Sequence, residues 1–555
     1  MKKGLPRAVS RITALFLVSV MLLAAFGCAA APAAVPDQGG AQGAQDTPAA
    51  QAAPGDLVTV TMAMGSAWTT LFPFVAGNQA NNLVQSFLFD ELATSANDGV
   101  IYPRLVDRWD VSEDGRIFTL HMIEGSMWHD GVPVTAHDVA WTYRFFSNAD
   151  AQLDMRPAFR FIEGTDDDGV ALSTDSIAVT AIDDRTVEVV LKRGVSPETF
   201  FSAVSVPILP QHLLGDQDPT TIAENPFWQS PIGSGPMVFE STIEGDRLVF
   251  TANANYHLGA PEIDRFVIMV VARTAMLAGL MSGDVDLLAG GAFGNLLLDD
   301  FLMARDVEHL VTMNVGSFIY EYMVLNHSDP LMTWEVRMAI DRAINKQRLI
   351  DELMGGYAQL TAGIWAEGHP FHHPGLEADN FNPDEARAFL AQANWDSSNV
   401  LTLGVSATNF LNQNAAVLIQ QDLADVGINV DIQLFDIATL IDVFYRGEIA
   451  MGMISNAPTI EPNTPDANLF IPGSPHNFAN LTTDRFANYF SRGTEYFTTE
   501  ERLPIYLALQ ESVAEYMVYS YLWVADVLFA HNRRIGNLNP FNFILHMPIW
   551  EWTVN

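Results

Sequence analysis

The chain has 555 residues, more than a single core usually accommodates, so two or three domains are expected. Lys and Arg number 28 against 66 Asp and Glu, a formal net charge of −38, and 49% of the residues are hydrophobic. Such a surface repels phosphate backbones and anionic lipid heads, which argues against nucleic-acid binding, while the apolar share is ample for several cores.

The sequence begins with the basic residues Lys2, Lys3, Arg7 and Arg11, then an apolar run from Ile12 to Phe26. That run has the length of a signal h-region and is short for a membrane span. Gly27-Cys28 and small residues follow. The layout is similar to a bacterial lipoprotein signal, in which Cys28, the single cysteine, becomes the lipidated first residue of the mature protein. An ordinary secretory signal with an incidental thiol is the alternative. Residues 29–56, rich in Ala, Pro, Gln and Gly, have almost nothing to bury and read as a disordered tether. Nothing later reads as a transmembrane helix. The body is therefore expected at the extracellular face of the membrane or in the periplasm.

LVTVTMAM (57–64) alternates as a strand does, and GSAWTTLFP follows as a loop. FTLHMIEG (118–125) is a second strand, after the turn at Glu113-Asp114-Gly115. MWHDGVPVTAHDVAWTY (127–143) carries two His-Asp pairs, His129-Asp130 and His137-Asp138, which look like metal ligands. Asp130-Gly131 is a turn dipeptide, and Pro133 keeps the chain extended. Thr135 with Asp138 resembles a capping box, and Val139, Tyr143 and Phe146 share one face of the helix that follows. The two histidines thus lie on different elements, unlike those of an HExxH helix. Thr333 caps a helix over 334–347, and Asn382-Pro383 opens another over 383–394.

The most regular region is 400–455. VLTLGVS is a strand, 412–426 a helix stopped by Gly427, INVDIQL an alternating strand, Asp436 the cap of a helix to about Tyr445, and EIAMGMIS (448–455) a third strand. This is βαβαβ, hence a parallel sheet, whose ligands bind beyond the carboxyl ends of the strands. Ser406 to Asn409 and Ser455 to Ala457 are such ends. Thr498 and Glu501 form a capping box before a long helix running towards Tyr519.

Among other constellations, His369, His372 and His373 are a candidate for nickel-like ions, against a Pro-rich surface loop as the favoured reading. Asp166-Asp167-Asp168-Gly169 reads as a solvated turn rather than a calcium loop. No HExxH, Walker or dinucleotide motif is present, so no enzyme, cofactor or metal centre is expected.

Residues 102–146 resemble the signature of the family 5 extracellular solute-binding proteins, the oligopeptide-, dipeptide- and nickel-binding components of ABC importers. The resemblance rests on Pro103, Leu105, Trp109, Asp114-Gly115, Phe118, Leu120, His129-Asp130-Gly131, Pro133, Thr135-Ala136 and Asp138-Val139. Further blocks agree in order: PIGSGPMVFE (231–240), SGDVDLL (282–288), LNHSDPLMTWEVRMAIDRAINKQRLI (325–350) and FNPDEARAFLAQANW (381–395).

The resemblance implies an α/β, two-lobed periplasmic-binding-protein-like fold with mixed sheets flanked by helices. After a signal (1–28) and the tether (29–56), it implies a large lobe over 57–305 with an extra subdomain at about 92–204. A second lobe over 306–512 and a C-terminal return over 513–555 complete it. It makes the His129 segment scaffold, with the ring donating to buried backbone and Asp138 capping a helix, and Gly233–Gly235 a turn in the core. It implies a monomeric lipoprotein, held to the membrane by its lipid alone, that delivers a small solute to ABC permease subunits. A tethered sensor or adhesion protein of the same fold is the alternative. The expected ligand residues are Ser66, Trp68, Trp365, Thr408, Asn409, Asn456, Thr459 and Glu461. In peptide-binding members an Asp beyond the strand equivalent to 448–455 pairs with the ligand's amine. Ala457 or Pro458 stands there in this sequence, so either Glu461 substitutes or the ligand has no free amine. Peptide is placed ahead of oligosaccharide, for which Trp68, Trp365, Asn409, Asn456 and Thr459 would serve, and ahead of nickel.

Overall fold

The structure is a computed structural model that describes residues 57–74, 79–95, 100–151, 156–173, 175–290, 294–463, 465–538 and 547–555. Cys28 and the tether at 29–56 lie outside the described residues.

Three sheets organise the chain. The first has seven strands, in the spatial order Leu310–Val315, Val527–Asn532, Leu287–Leu288, Thr59–Met64, Arg265–Val270, Arg247–Ala252, Met237–Ile243. Thr59–Met64 runs parallel to Arg265–Val270, with Val60 opposite Phe266 and Met62 opposite Ile268. These side chains are buried, as an apolar strand covered on both faces requires. The second sheet has six strands, in the order Ala358–Leu360, Tyr519–Ala525, Tyr320–Leu325, Met451–Asn456, Val400–Ser406, Asn429–Phe435. The third is a four-stranded antiparallel sheet in the order Val106–Val111, Ile117–Met122, Thr186–Val190, Val179–Asp183. The first and third sheets share one apolar core, whereas the second has a separate core on each face.

The βαβαβ unit forms as read. Val400–Ser406 pairs in parallel with Asn429–Phe435 and with Met451–Asn456. Asn409 caps the helix Phe410–Asp425, and Asp436 caps Ile437–Tyr445. Gly427 takes the left-handed φ of 95° that lets the chain reverse after the first of these helices. The sheet as a whole is mixed, because Tyr320–Leu325 inserts antiparallel beside Met451–Asn456. The alternation of INVDIQL holds for Ile428 and Val430, which are buried, but Leu434 is exposed. Asn429–Phe435 is the sheet's edge, so its far end lacks a covering neighbour.

Two helices end earlier than expected. The helix after Thr333 stops at Ala343; Ile344 turns extended and Asn345 caps a second helix, Lys346–Met354, accepting from the Arg348 N–H at 2.9 Å. The buried Asp422 carboxylate takes the Asn345 N–H at 3.0 Å and so fixes the break. The helix after Thr498 stops at Tyr516, where Met517 adopts a left-handed φ of 50° so that Tyr519 can enter the second sheet.

The chain passes between the first and second sheets twice. Leu310–Val315 leads through 316–319 to Tyr320–Leu325, and Tyr519–Ala525 leads through Asp526 to Val527–Asn532. Leu310–Val315 pairs antiparallel with Val527–Asn532 in the first sheet, and Tyr320–Leu325 with Tyr519–Ala525 in the second. Both crossings come later in the chain than the edges expected at 306 and 513. Each is tied down: Ser317 Oγ donates to the Ala525 carbonyl at 2.9 Å, and Asn314 Nδ2 donates to the Asp526 carboxylate at 2.8 Å.

Candidate functional site

The histidine motifs resolve into scaffold. The His129 ring is clamped between two glycines: the Gly233 N–H donates to Nδ1 at 3.1 Å, and Nε2 donates to the Gly235 carbonyl at 3.0 Å. That pattern fixes the neutral tautomer, and burial pushes the imidazole down to about 4. A Cβ on Gly233 would lie 1.8 Å from the Leu88 carbonyl oxygen, so no larger residue fits there. The Asp138 carboxylate accepts from the Thr135 N–H at 2.8 Å and the Gln211 N–H at 3.0 Å. Asp130 pairs with His212, and His137 with Asp184 at the surface. The His-Asp pairs therefore do separate structural work.

His369 departs from the expected surface loop: it is buried, stacked on Trp365 at 5.6 Å with an interplanar angle of 10°. Its Nδ1 accepts from the Phe371 N–H, its Nε2 donates to the Thr459 carbonyl, and burial pushes it down to about 4. His372 bonds the Trp365 carbonyl and His373 meets Glu511. Among the described residues no three His, Cys, Asp or Glu side chains stand together as metal ligands do. Asp166 accepts from the N–H groups of Asp168 and Val170, a self-satisfied turn.

At the carboxyl ends of the second sheet, Thr408 is exposed and bonded to Ser406, while Asn409 caps its helix through the Asn412 N–H. Asn456 Nδ2 donates to the Tyr320 hydroxyl at 3.1 Å and to the Asp466 carboxylate at 3.3 Å. Trp365 Nε1 donates to the same carboxylate at 3.1 Å. The Trp365 ring is 1% exposed, with His369 on its face and Phe371 and Tyr506 around it, so it has no open face for a sugar. Thr459 Oγ1 donates to the Glu461 carbonyl at 3.1 Å.

Glu461 is held by Arg502 in a bidentate pair, at 2.7 Å and 3.0 Å, and accepts from the Thr199 hydroxyl at 3.2 Å. Burial alone would raise its carboxyl, but the Arg502 guanidinium overrides that and holds it below the usual range. The charge offered to a ligand amine in the sequence reading is thus already engaged. Thr199 belongs to the helix Pro197–Val204, which follows the third sheet, so this contact joins the third sheet's surroundings to those of the second.

Ser66 is exposed after the strand Thr59–Met64. Trp68 lies close by, lining a cavity of about 540 Å³ with Glu224, Asn225, Trp228, Gln229 and Glu244. That cavity is lined by residues around the first sheet alone. Trp365, Asn456, Thr459 and Glu461 therefore gather in one place, Thr408 and Asn409 stand at the neighbouring strand end, and Ser66 and Trp68 belong to the other sheet.

Sequence reasoning missed Asp466, which lies at the centre of the gathered group. It is fully buried, and its side-chain partners Trp365 and Asn456 are neutral donors. Burial pushes its carboxyl up to about 7. The rings of Tyr320 and Tyr521 stand nearby, 5.5 Å apart, and the buried Tyr521 hydroxyl has no hydrogen-bond partner among the described residues. The only local signal was an aspartate after a proline in NTPDANLF, which does not distinguish a surface turn from a buried acid.

A Brucella ovis protein named as a peptide-binding protein of an ABC transporter is 28% identical over 351 residues, 62% of this chain and 62% of its own length. The match thus spans less than two thirds of that relative. The oligopeptide-binding protein AppA of Bacillus subtilis is 23% identical over 454 residues, 78% of each chain. The nickel-binding periplasmic protein of Escherichia coli is 26% identical over 362 residues, 63% of this chain and 66% of its own. Among solved structures, the ABC transporter substrate-binding protein CtaP of Listeria monocytogenes superposes with a TM-score of 0.79 at 19% identity, covering 90% of this chain and 99% of that one. AppA of Bacillus subtilis, solved with a nonapeptide, superposes with a TM-score of 0.69 at 19% identity, over 90% and 99%. The fold is thus the two-lobed α/β fold of periplasmic binding proteins. The sequence profile of the bacterial extracellular solute-binding proteins, family 5, middle region, matches residues 100–477, and the chain belongs to that family.

Proposed function

We propose that this protein captures a peptide between two lobes and hands it, chemically unaltered, to the membrane subunits of an ABC importer. The lobes are centred on the first and second sheets, with 316–319 and Asp526 as the hinge. Cys28 is the lipid attachment site, which keeps a monomeric body at the outer face of the membrane.

Asp466 carries the peptide reading. A buried carboxylate hydrogen-bonded only to neutral donors costs free energy that a cationic partner would return. The α-amine of a peptide is such a partner. It would meet Asp466 beyond the carboxyl end of Met451–Asn456, where open α/β sheets take their ligands. Asn456 and Trp365 orient the carboxylate, and Ser66 and Trp68 contribute from the opposite lobe.

A thermal-shift screen of the full chain against mixed peptides, cello-oligosaccharides and Ni²⁺ tests this. Peptides should raise the melting temperature, because a ligand that binds only the folded state stabilises it. A shift produced by oligosaccharide or Ni²⁺ and not by any peptide would overturn the reading.

A further inference from the structure

Trp68 is the one residue of the cavity of about 540 Å³ beside the first sheet that the peptide reading uses; the rest of the wall takes no part in it. The volume falls within the range of about 300–1,000 Å³ usual for small-molecule sites. Segments far apart in sequence build it: the loop after Thr59–Met64, the turns Ile222–Glu224 and Pro226–Gln229, and the hairpin turn at 244–246. The hairpin turn reaches the loop because Arg265–Val270 runs parallel to Thr59–Met64 and antiparallel to Arg247–Ala252, which sets both at one end of the sheet.

The fold fixes most of this wall. Asn81, buried on the helix Gln79–Leu88, accepts from the Thr69 N–H at 2.8 Å and holds the loop. Trp228 Nε1 donates to the Ile222 carbonyl at 2.6 Å, and its ring packs on Phe72 and Phe227 with centroids 4.9 Å and 4.8 Å away. Trp68 is held differently. It is 7% exposed, yet among the described residues its indole N–H has no acceptor and its ring no aromatic neighbour. A donor on so deeply buried a side chain is normally paired, so this one is suited to an oxygen brought by a ligand.

The charge at the cavity is one-sided. Glu224 and Glu244 line it, both exposed, and among the described residues neither carboxylate has an ion pair or a hydrogen bond. No Lys, Arg or His stands among the described lining residues. Arg247, the cation nearest to Glu244 in sequence, is paired with Asp246. Unpaired carboxylates and the negative face of an indole favour the same kind of guest, a positive one.

We propose that this cavity is a second binding site, for small organic ammonium compounds that carry a carbonyl or hydroxyl oxygen. The ammonium lies between the Glu224 and Glu244 carboxylates and the tryptophan wall, and the oxygen accepts from the Trp68 N–H. The site uses neither Asp466 nor Glu461 and stands independently of the peptide reading.

The test uses the full chain at about 0.15 M salt, where long-range attraction to an acidic surface is screened. Titration calorimetry compares acetylcholine with 3,3-dimethylbutyl acetate, which has the same shape and no charge. The variants are Glu224→Gln, Glu244→Gln, the double variant and Trp68→Phe. Acetylcholine should bind roughly tenfold more tightly than the neutral ester, the combined effect of a cation–π contact and two carboxylates. Each glutamine should lower that ratio, and the double variant should erase it. Trp68→Phe keeps an aromatic face but no N–H, so it should weaken both esters by roughly threefold to tenfold and keep most of the preference for charge. An alanine-glycine pentapeptide should bind the double variant as it binds the wild type.

Equal affinity for the two esters would refute the site and leave the peptide reading standing. A preference for acetylcholine that survives in the double variant would mean attraction to the acidic surface as a whole, and would overturn the site. Binding of cellobiose in place of either ester, lost in the double variant, would overturn the cation assignment in favour of a sugar. Weaker pentapeptide binding by the double variant would make the cavity part of the peptide cleft and end its standing as a second site. If no peptide binds but the esters behave as expected, the site stands and the peptide reading falls.

Discussion

Asp341 and Asp466 are both buried carboxylates beside the second sheet, and they are held in opposite ways. Asp341 receives Lys346 Nζ at 2.8 Å, Ser520 Oγ at 2.6 Å and Arg342 Nη1 at 2.8 Å. Burial works against its charge, yet Lys346 and the hydrogen bonds keep its carboxyl below the usual range. Asp466 has the neutral donors Trp365 and Asn456, and burial lifts it to about 7. At Asp341 the fold itself supplies the cation. An acid without one, beyond the carboxyl end of a strand, is suited to a cation that arrives from outside.

The same substitution at both positions should give different outcomes, and this is the largest expected effect. Asp341→Asn leaves the buried Lys346 ammonium without its counter-charge and should cost about 3–5 kcal/mol in denaturant unfolding. Asp466→Asn should cost less, because the one donor it leaves unmet, Trp365 Nε1 or Asn456 Nδ2, worth about 1–3 kcal/mol, is offset by removal of a buried carboxylate that no cation balances. Equal losses at the two sites would break the comparison.

Next in size is the effect on binding. Asp466→Asn should weaken a free-amine peptide by roughly tenfold or more, and an N-acetylated version hardly at all, by calorimetry. Glu461→Gln, by contrast, should act on both peptides alike, since its charge is spent on Arg502.

The pH dependence is opposite in sign at the two sites. The folded-state value of Asp466 is raised, so its contribution is intact in acid and is lost as the pH climbs towards about 7. Relative to Asp466→Asn, the wild type should therefore lose stability over that interval. Binding of a free-amine peptide should tighten over the same interval as the carboxylate forms. The folded-state value of Asp341 is depressed, so its contribution is present above the ordinary aspartate range and is lost as the pH falls below it. A wild-type advantage over Asp341→Asn that grew in acid would contradict this assignment.

The smallest effect concerns one donor. Ser520→Ala removes a single hydrogen bond from the Asp341 cluster and should cost about 1–2 kcal/mol, leaving peptide affinity unchanged. A matching loss of affinity would mean that the two regions are coupled.

What could be read in advance was local. The capping residues Thr498, Asp436 and Asn409, the βαβαβ order of 400–455 and the strand 57–64 follow from short-range rules of period, cap and turn, which act within a few residues. The family motif about His129 was legible for the same reason, and its place as scaffold is borne out by the glycine clamp. Interactions between distant segments were not legible. Glu461 looked free because Arg502 stands 41 residues away and Thr199 262 away. Trp365 looked like a platform because nothing in its neighbours in sequence announces that His369 and Tyr506 close over it.

The sequence by itself determined most of the elements and the family, since those depend on periodicity and motif order. Only the tertiary structure decided which charges are already neutralised. That distinguished Glu461 from Asp466. The physical reason is that desolvation and Coulomb energy depend on distances in space between residues far apart along the chain.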